Sequence, residues 1–404
     1  MTPPPTTLPV QRFDPTPCGF PPPRVPVLPP LHGARLQWGA NHLPTEVRHF
    51  SRGRYALLAA YRLAGVGPSG ALLAPAYHCL TMLDPALRLG AEVSLYALTP
   101  TLAPELDGLR HAIVAARTPV KALLLTHYFG RPQDPEVTRV VLELCEAHGI
   151  RLIEDCSHAL APDATAGSAT AIGRSGRSGH YAVSSPYKFF PCPDGGLLWR
   201  NHPTTPWPVQ ARAPALKPQL RALRQAMRTP GTNSSLASDA SAIARELDSV
   251  MPRAGVEGLQ WQDDAAGLSA EYEVTDEAIG SAFVSRWVQR HVDIDSLRAA
   301  RRQRYVQWLT AMADAPGARP LWRELPDNCT PYMFPLLVER PHARFYPLKQ
   351  LGVPIWRWDD MAVSSCPVAS TYRQGVFHLP CHQALSDAQM AWLTATVLHV
   401  LGKT

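Results

Sequence analysis

The sequence predicts an α/β protein: a three-layer α/β/α large domain with a mainly parallel sheet, followed by a smaller C-terminal α+β domain. Three observations carry this. From about residue 40 to 200, short apolar runs alternate with segments of helical period, the pattern of parallel strands joined by crossover helices. One such segment, Asp134 to His148, has both ends signalled: Asp134 to cap, Pro135 at the first helical position and Gly149 to leave it. Hydrophobic residues make up 46% of the 404 and charged ones 18%, which allows a real core and excludes a wholly disordered chain.

Taken in order, the chain begins with a proline-rich stretch. Twelve of its 42 prolines fall within Met1 to Leu31, so residues 1–35 read as a tail. Strands are then expected at Ala71 to Ala74, Glu92 to Tyr96, Val120 to Thr126 and Ile150 to Asp155, and two more at His180 to Ser184 and Gly195 to Trp199. Residues 202–270 carry Pro, Ser, Asn and Gly among polar helical pieces and read as an excursion from the large domain, which spans 36–290. A long helical pattern from about Asp276 to Ala313, interrupted near Asp293, carries the chain into a small domain over 291–404. There, short strands (TPYMFPLLV, GVFHLP) mix with a closing helix begun at Ser386.

Several function classes are disfavoured. Net charge is +6, but Arg and Lys are scattered among Asp and Glu rather than gathered in a patch, so nucleic acid is not an expected partner. The eight cysteines stand far apart without metal-type spacing, and no metal site is expected. No apolar stretch approaches the roughly 20 residues of a membrane helix. The opening MTPPPTTLPVQRFDPTP lacks both a basic and an apolar leader region, so a cytoplasmic location is expected.

Lysine is scarce, with only five among the 39 basic residues. One of them, Lys188, sits in Ser-Ser-Pro-Tyr-Lys-Phe-Phe-Pro between two expected strands. Desolvation there would lower its pKa from the ordinary value of about 10.4 and free the amine as a nucleophile. The alternative is a lysine that snorkels out of an aromatic cluster. Asp155 closes an apolar strand, where ligands of open α/β sheets gather, and its carboxylate can pair with a protonated ring nitrogen; the alternative is a cap or structural ion pair. Gly53, at the start of the helix in SRGRYALLAA, would let a phosphate approach free backbone N–H groups; an ordinary helix start is the alternative. His127 and Tyr128, in THYFGRPQD, close the preceding strand and are candidates to line the same crevice. Arg357, between Trp356 and Trp358, is a candidate for an anionic substrate group, with a stacked surface arginine as the alternative.

In order and spacing, SRGRYALLAA, LLAPAYHCLTMLDPALRLGAEV, VKALLLTHYFGRPQD, HGIRLIEDCSHAL and SPYKFFPCPDGGLL resemble the DegT-type sugar aminotransferase family of fold type I pyridoxal-phosphate enzymes. The resemblance covers about residues 48–200, and more thinly SRWVQRHVDIDSLRAARRQRYVQWL and HLPCHQALSD. It implies pyridoxal 5'-phosphate as cofactor, Lys188 as the Schiff-base lysine and Asp155 as the partner of the pyridine nitrogen. His158 stands where the family has a glutamine beside the phenolic oxygen. Gly53 and Arg54 match the Gly-Thr pair whose backbone takes the phosphate, and Ser184 is close to the phosphate-binding serine. Where the family has a ring-stacking aromatic residue, this chain has Cys79, so Tyr77 or His78 is expected to cover the cofactor instead.

The activity so implied is transfer of an amino group from an amino acid, with glutamate the expected donor, to a keto sugar or similar small molecule, in a site shared across a homodimer. Dehydration or other carbanion chemistry on the same cofactor is one alternative. A noncatalytic member that keeps the fold for partner binding is another. An NAD-binding enzyme is disfavoured, because no GxGxxG follows the first strand.

Overall fold

The structure, a computed structural model, describes residues 7–12, 19–31, 34–38, 46–160, 175–208, 210–228, 236, 240–250 and 262–403. Its first strand, β1 (Leu8–Arg12), stands apart from the main sheet. That sheet is built from β2 (Val47–Phe50), β3 (Ala71–Pro75), β4 (Val93–Tyr96), β5 (Val120–Thr126), β6 (Arg151–Asp155), β7 (Tyr181–Ser184) and β8 (Gly196–Arg200), in the order β2-β8-β7-β6-β5-β3-β4. Only β8 runs against the others. Five of the expected strands lie within a residue of their expected bounds at each end, and Val120–Thr126 matches at both; β2 is an addition. Its four residues, VRHF, are too short a run to announce a strand.

Side-chain alternation explains the three layers. Leu72, Ala74, Leu124 and Ile153 point to one face, against α1 (Gly53–Ala64) and α2 (Leu80–Arg88). Leu73, Leu123, Leu125 and Leu152 point to the other, where Leu109 of α3 (Leu106–Ala115) and Val141 and Cys145 of α4 (Pro135–Ala147) cover them. A period of two in the strands feeds both cores at once. The signalled ends of α4 form as expected: the Asp134 carboxylate accepts from the Glu136 N–H at 2.8 Å, and Gly149 takes a φ of +64° just beyond the helix.

The region expected as an excursion holds α5 (Leu216–Ala226), α6 (Ala240–Val250) and β9 (Gln262–Ala266). The expected long helix divides into α7 (Phe283–His291) and α8 (Ile294–Ala311), and the break has a cause: the Asp293 carboxylate caps α8 by accepting from the Ser296 N–H at 3.1 Å. A second sheet follows, β10 (Ala318–Pro320), β11 (Met333–Val338) and β13 (Val376–Pro380), all antiparallel. It packs with α9 (Pro341–Gln350), α10 (Pro367–Gly375) and α11 (Asp387–Lys403), while β12 (Met361–Ala362) pairs with β1. At the start of α11, Ser386 and Gln389 exchange side-chain to backbone bonds of 2.9 and 3.2 Å, a reciprocal cap.

The expectation of a loose tail is corrected. Val25 is buried in the core of the second sheet with Trp308, Phe345 and Trp392, and Phe20 stacks on Tyr346 at 5.8 Å. The Pro26 carbonyl accepts from His382 Nε2 at 2.9 Å, and β1 pairs with both β9 and β12. Proline here restricts the backbone to extended forms before folding, so an apolar residue every few positions suffices to bind the strap. The excursion is tied down in the same way: Ile243 of α6 enters that core. Among the described residues no helix is long and apolar enough to cross a membrane.

Candidate active site

The register of the main sheet levels three strand ends. Thr126 pairs with Asp155 across β5 and β6, and Asp155 with Val183 across β6 and β7. Beyond these carboxyl ends lies a narrow cleft, where open α/β sheets bind ligands. Asp155, Ser157, His158, Ser185, Lys188 and the start of α1 all line it.

Asp155, only 2% exposed, anchors the floor; its Oδ1 accepts from the Ser157 N–H at 2.8 Å. At the far wall α1 begins without a side-chain cap and without an acid in its first turn. No side chain caps α1, and Gly53 and Arg54 line the cleft, so the positive end of the helix dipole faces it; Arg52, just before Gly53, also bridges to Gly195 beside β8. The Ser157 and Ser185 hydroxyls join at 3.0 Å beside Gly53, and a Cβ on Gly53 would overlap the Ser185 hydroxyl. Only glycine leaves that concave wall of donors open.

Lys188 ends a single 3-10 turn, Pro186–Lys188, that leaves β7. Its ammonium lies 5.4 Å from the centroid of Tyr332. His158, 6% exposed, packs against the same Tyr332 ring at 4.6 Å, and its Nδ1 has no hydrogen-bond partner among the described residues. Burial first, then Lys188 and His378, drive the His158 pKa well below the ordinary value, so its imidazole is neutral at pH 7. His378 is driven down to about 3 by burial and then by Lys188.

Several expected site residues sit elsewhere. Ser184 points away from the cleft and donates to the Cys156 carbonyl at 3.2 Å; its neighbour Ser185 takes the place beside Gly53. The Arg54 guanidinium turns to Glu271, donating to its carbonyl and lying 3.3 Å from its carboxylate, so Arg54 presents its backbone rather than its charge. Neither Tyr77 nor His78 covers the cleft. His78 spends Nδ1 on the Pro75 carbonyl at 3.0 Å and Nε2 on the Ala362 N–H at 3.1 Å, while Tyr77 lies buried, bonded to His378 at 3.0 Å. Cys79, Thr81 and Met82 reach the cleft instead.

His127 also has both ring nitrogens committed, to Glu154 at 2.8 Å and to the Gln133 N–H at 3.0 Å. Burial would raise the Glu154 pKa, but His127 and the N–H groups of Gly179 and Gly176 hold it below the usual range. Tyr128 donates to the Tyr77 carbonyl at 2.6 Å, beneath the cleft. Arg357 lies over the Phe345 ring at 4.0 Å and bonds to Asp359; the next residue, Trp358, lines the cleft. In an extended segment adjacent side chains face opposite ways, so WRW does carry a signal for Trp358 that sequence reasoning missed.

Residues 46–246 match the DegT/DnrJ/EryC1/StrS aminotransferase family. Among curated proteins the chain is 29% identical over 127 residues to the 3-amino-5-hydroxybenzoate synthase of Amycolatopsis mediterranei, covering 30% of each chain. It is 29% identical over 116 residues to a UDP-N-acetyl-3-dehydro-alpha-D-glucosamine 3-aminotransferase of Acidithiobacillus ferrooxidans, covering 27% of this chain and 28% of that one. The matches thus span less than a third of either relative. The fold is shared over far more: with the aminotransferase TlmJ of Streptoalloteichus hindustanus the TM-score is 0.57 at 20% identity, over 88% of this chain and 86% of that one. With the aminotransferase PseC of Helicobacter pylori it is 0.59 at 14% identity, over 93% and 94%. Residues 46–246 of this chain belong to the DegT/DnrJ/EryC1/StrS aminotransferase family.

Proposed function

We propose that the chain is a pyridoxal 5'-phosphate-dependent aminotransferase that moves an amino group from an amino acid, glutamate as the expected donor, to the keto group of a sugar or similar small molecule. One observation carries this reading: the Lys188 amine, the Asp155 carboxylate and the open start of α1 face a single cleft.

The residues present suit that cofactor. The Arg54 N–H at the start of α1, with the Ser157 and Ser185 hydroxyls, would hold the phosphate, an anion at a helix N-terminus. Asp155 would keep the proton on the pyridine nitrogen, and neutral His158, with Nδ1 open, would sit beside the phenolic oxygen. When bound, pyridoxal phosphate supplies an electron sink for negative charge developing on the substrate carbon. Lys188 would act as the nucleophile and as the base that takes the proton from the donor's α-carbon. Trp358 lines the cleft and the Tyr332 ring lies 5.4 Å from the amine, so aromatic surface covers one side of the half-buried Lys188.

The partner is a second copy of the chain. Leu216, Leu220 and Leu223 on one face of α5, with Met227 just past its end, are 41–74% exposed, an apolar stripe of the kind that marks an association surface. Seven described cysteines are free, in keeping with a reducing cytoplasm.

Purified protein is expected to be yellow, and borohydride to fix the cofactor to the peptide containing Lys188. Lys188→Ala should abolish turnover while sparing the fold; normal turnover in that variant would falsify the assignment. Half-reactions with amino donors separate transamination, which leaves pyridoxamine phosphate behind, from elimination, which does not.

A further inference from the structure

A second cavity, about 670 Å3, shares no lining residue with the Lys188 cleft. That volume lies within the roughly 300–1,000 Å3 of ligand pockets. Three segments meet around it: β2, the stretch that supplies Trp207, Gln210, Ala211 and Ala213, and the chain from Gly280 through α7. Gly280 allows the approach, because a Cβ there would press on the His49 carbonyl at 3.1 Å.

The lining is cationic. Arg48 comes from β2, and Arg286 and Arg290 come from α7, four residues apart and so on one face. The carboxylate among the lining residues, Glu46, is held by Arg200 at 3.0 Å. Among the described residues no ion pair neutralises Arg286 or Arg290, while Arg48 rests on Trp207 at 4.9 Å and donates to the Pro208 carbonyl. Asp194 feels Arg286, but its oxygens are already taken by the Ala282 N–H and the Ser285 hydroxyl.

Three of the lining residues also carry a buried polar atom without a partner among the described residues. His49 Nδ1, Ser281 Oγ and Arg286 Nε have no hydrogen-bond partner among the described residues, with His49 6% and Ser281 1% exposed. Leaving such a group unpaired is costly, so three around one cavity point to a ligand. Burial, then Arg286 and Arg290, push the His49 pKa down to about 4, a sign of positive potential at the inner wall.

We propose that this cavity binds the phosphoryl group of a small molecule, gripped by Arg286, Arg290 and Arg48 and hydrogen-bonded by Ser281 and His49. Planar guanidiniums match phosphate oxygens in bidentate fashion, and the space beyond them admits an organic moiety. This site stands independently of the cofactor reading.

Isothermal titration of the full chain with inorganic phosphate and with glucose 1-phosphate tests it. Binding of either is expected to weaken at least tenfold in R286Q/R290Q and to persist in Ser185→Ala, which alters only the Lys188 cleft. Equal affinity for the two probes assigns the site to free phosphate, and tighter binding of glucose 1-phosphate assigns it to an organic phosphate; both support the proposal. Unchanged affinity in R286Q/R290Q, loss in Ser185→Ala alone, or no heat in wild type up to about 10 mM overturns it. Unaltered thermal melting of R286Q/R290Q separates a lost site from a lost fold.

Discussion

Replacing Arg301 with methionine isolates a contact that ties the second sheet to the lysine. Arg301 is fully buried, without a carboxylate partner among the described residues, yet burial lowers its pKa only to about 10, so it remains charged. Its guanidinium donates to the carbonyls of Lys188 at 3.0 Å, Phe189 at 3.4 Å, Pro331 at 3.0 Å and Tyr332 at 3.2 Å, and to Gln383 at 2.8 Å. Methionine fills the volume but donates nothing. Phe189 keeps a bond from Gln383 at 2.8 Å and Pro331 a weak one from the Cys381 thiol at 4.0 Å, so the carbonyls of Lys188 and Tyr332 lose the donor that Arg301 supplies, at about 1–3 kcal/mol each. Removing a buried charge returns part of that cost as relieved desolvation, and a net loss of stability is expected. Urea denaturation followed by tryptophan fluorescence reads that loss. Amide exchange should quicken at residues 186–190 beyond the global change. A variant within about 0.5 kcal/mol of wild type, the range of a neutral surface change, would refute the view that Arg301 holds the lysine turn.

Gly53→Ala should weaken pyridoxal phosphate binding at least tenfold, measured by absorbance titration, because the new methyl displaces the Ser185 hydroxyl; unchanged affinity would place the phosphate elsewhere. Leu220→Glu should convert a dimer to a monomer in analytical ultracentrifugation at nearly unchanged stability, since that side chain is 58% exposed; a persisting dimer removes α5 from the interface. Burial depresses His78 to about 4 and His378 and His382 to about 3. The unfolded chain therefore binds more protons below pH 6.5, and stability should fall from there toward pH 3–4 by up to about 1.4 kcal/mol per pH unit for each histidine; a flat urea midpoint between pH 7 and 5 would contradict it.

What the sequence reveals depends on how local the cause is. The strands of the main sheet and the ends of α4 are legible because apolar alternation and capping are properties of a few adjacent residues. Gly53, Asp155 and Lys188 are legible because strand ends and helix starts locate the crevice before any side chain is placed. Choosing among neighbours is harder. Ser184 and Ser185, or Arg357 and Trp358, differ only in which side of an extended chain they face, and the partner that decides it is remote: Cys156 for Ser184, Phe345 for Arg357. The N-terminal strap misleads for the same reason, since the core that accepts Phe20 and Val25 forms more than 280 residues later.

Arg301 shows how a remote cause can still leave a local trace. RAARRQRY is rich in arginine, and Arg302 and Arg304 bond at the surface, to Asp327 and Asp387. The buried residues of α8 are Ile294, Leu297, Arg301, Tyr305 and Trp308, spaced three or four apart. Arg301 therefore stands on the apolar stripe, and a cation there destabilises the core unless acceptors are waiting for it. In this protein the acceptors are carbonyls, two of them from Lys188 and Phe189. A charge at an apolar helical position thus points from α8 to the lysine turn, across more than a hundred residues of sequence, and makes the second sheet part of what sets the cleft's shape.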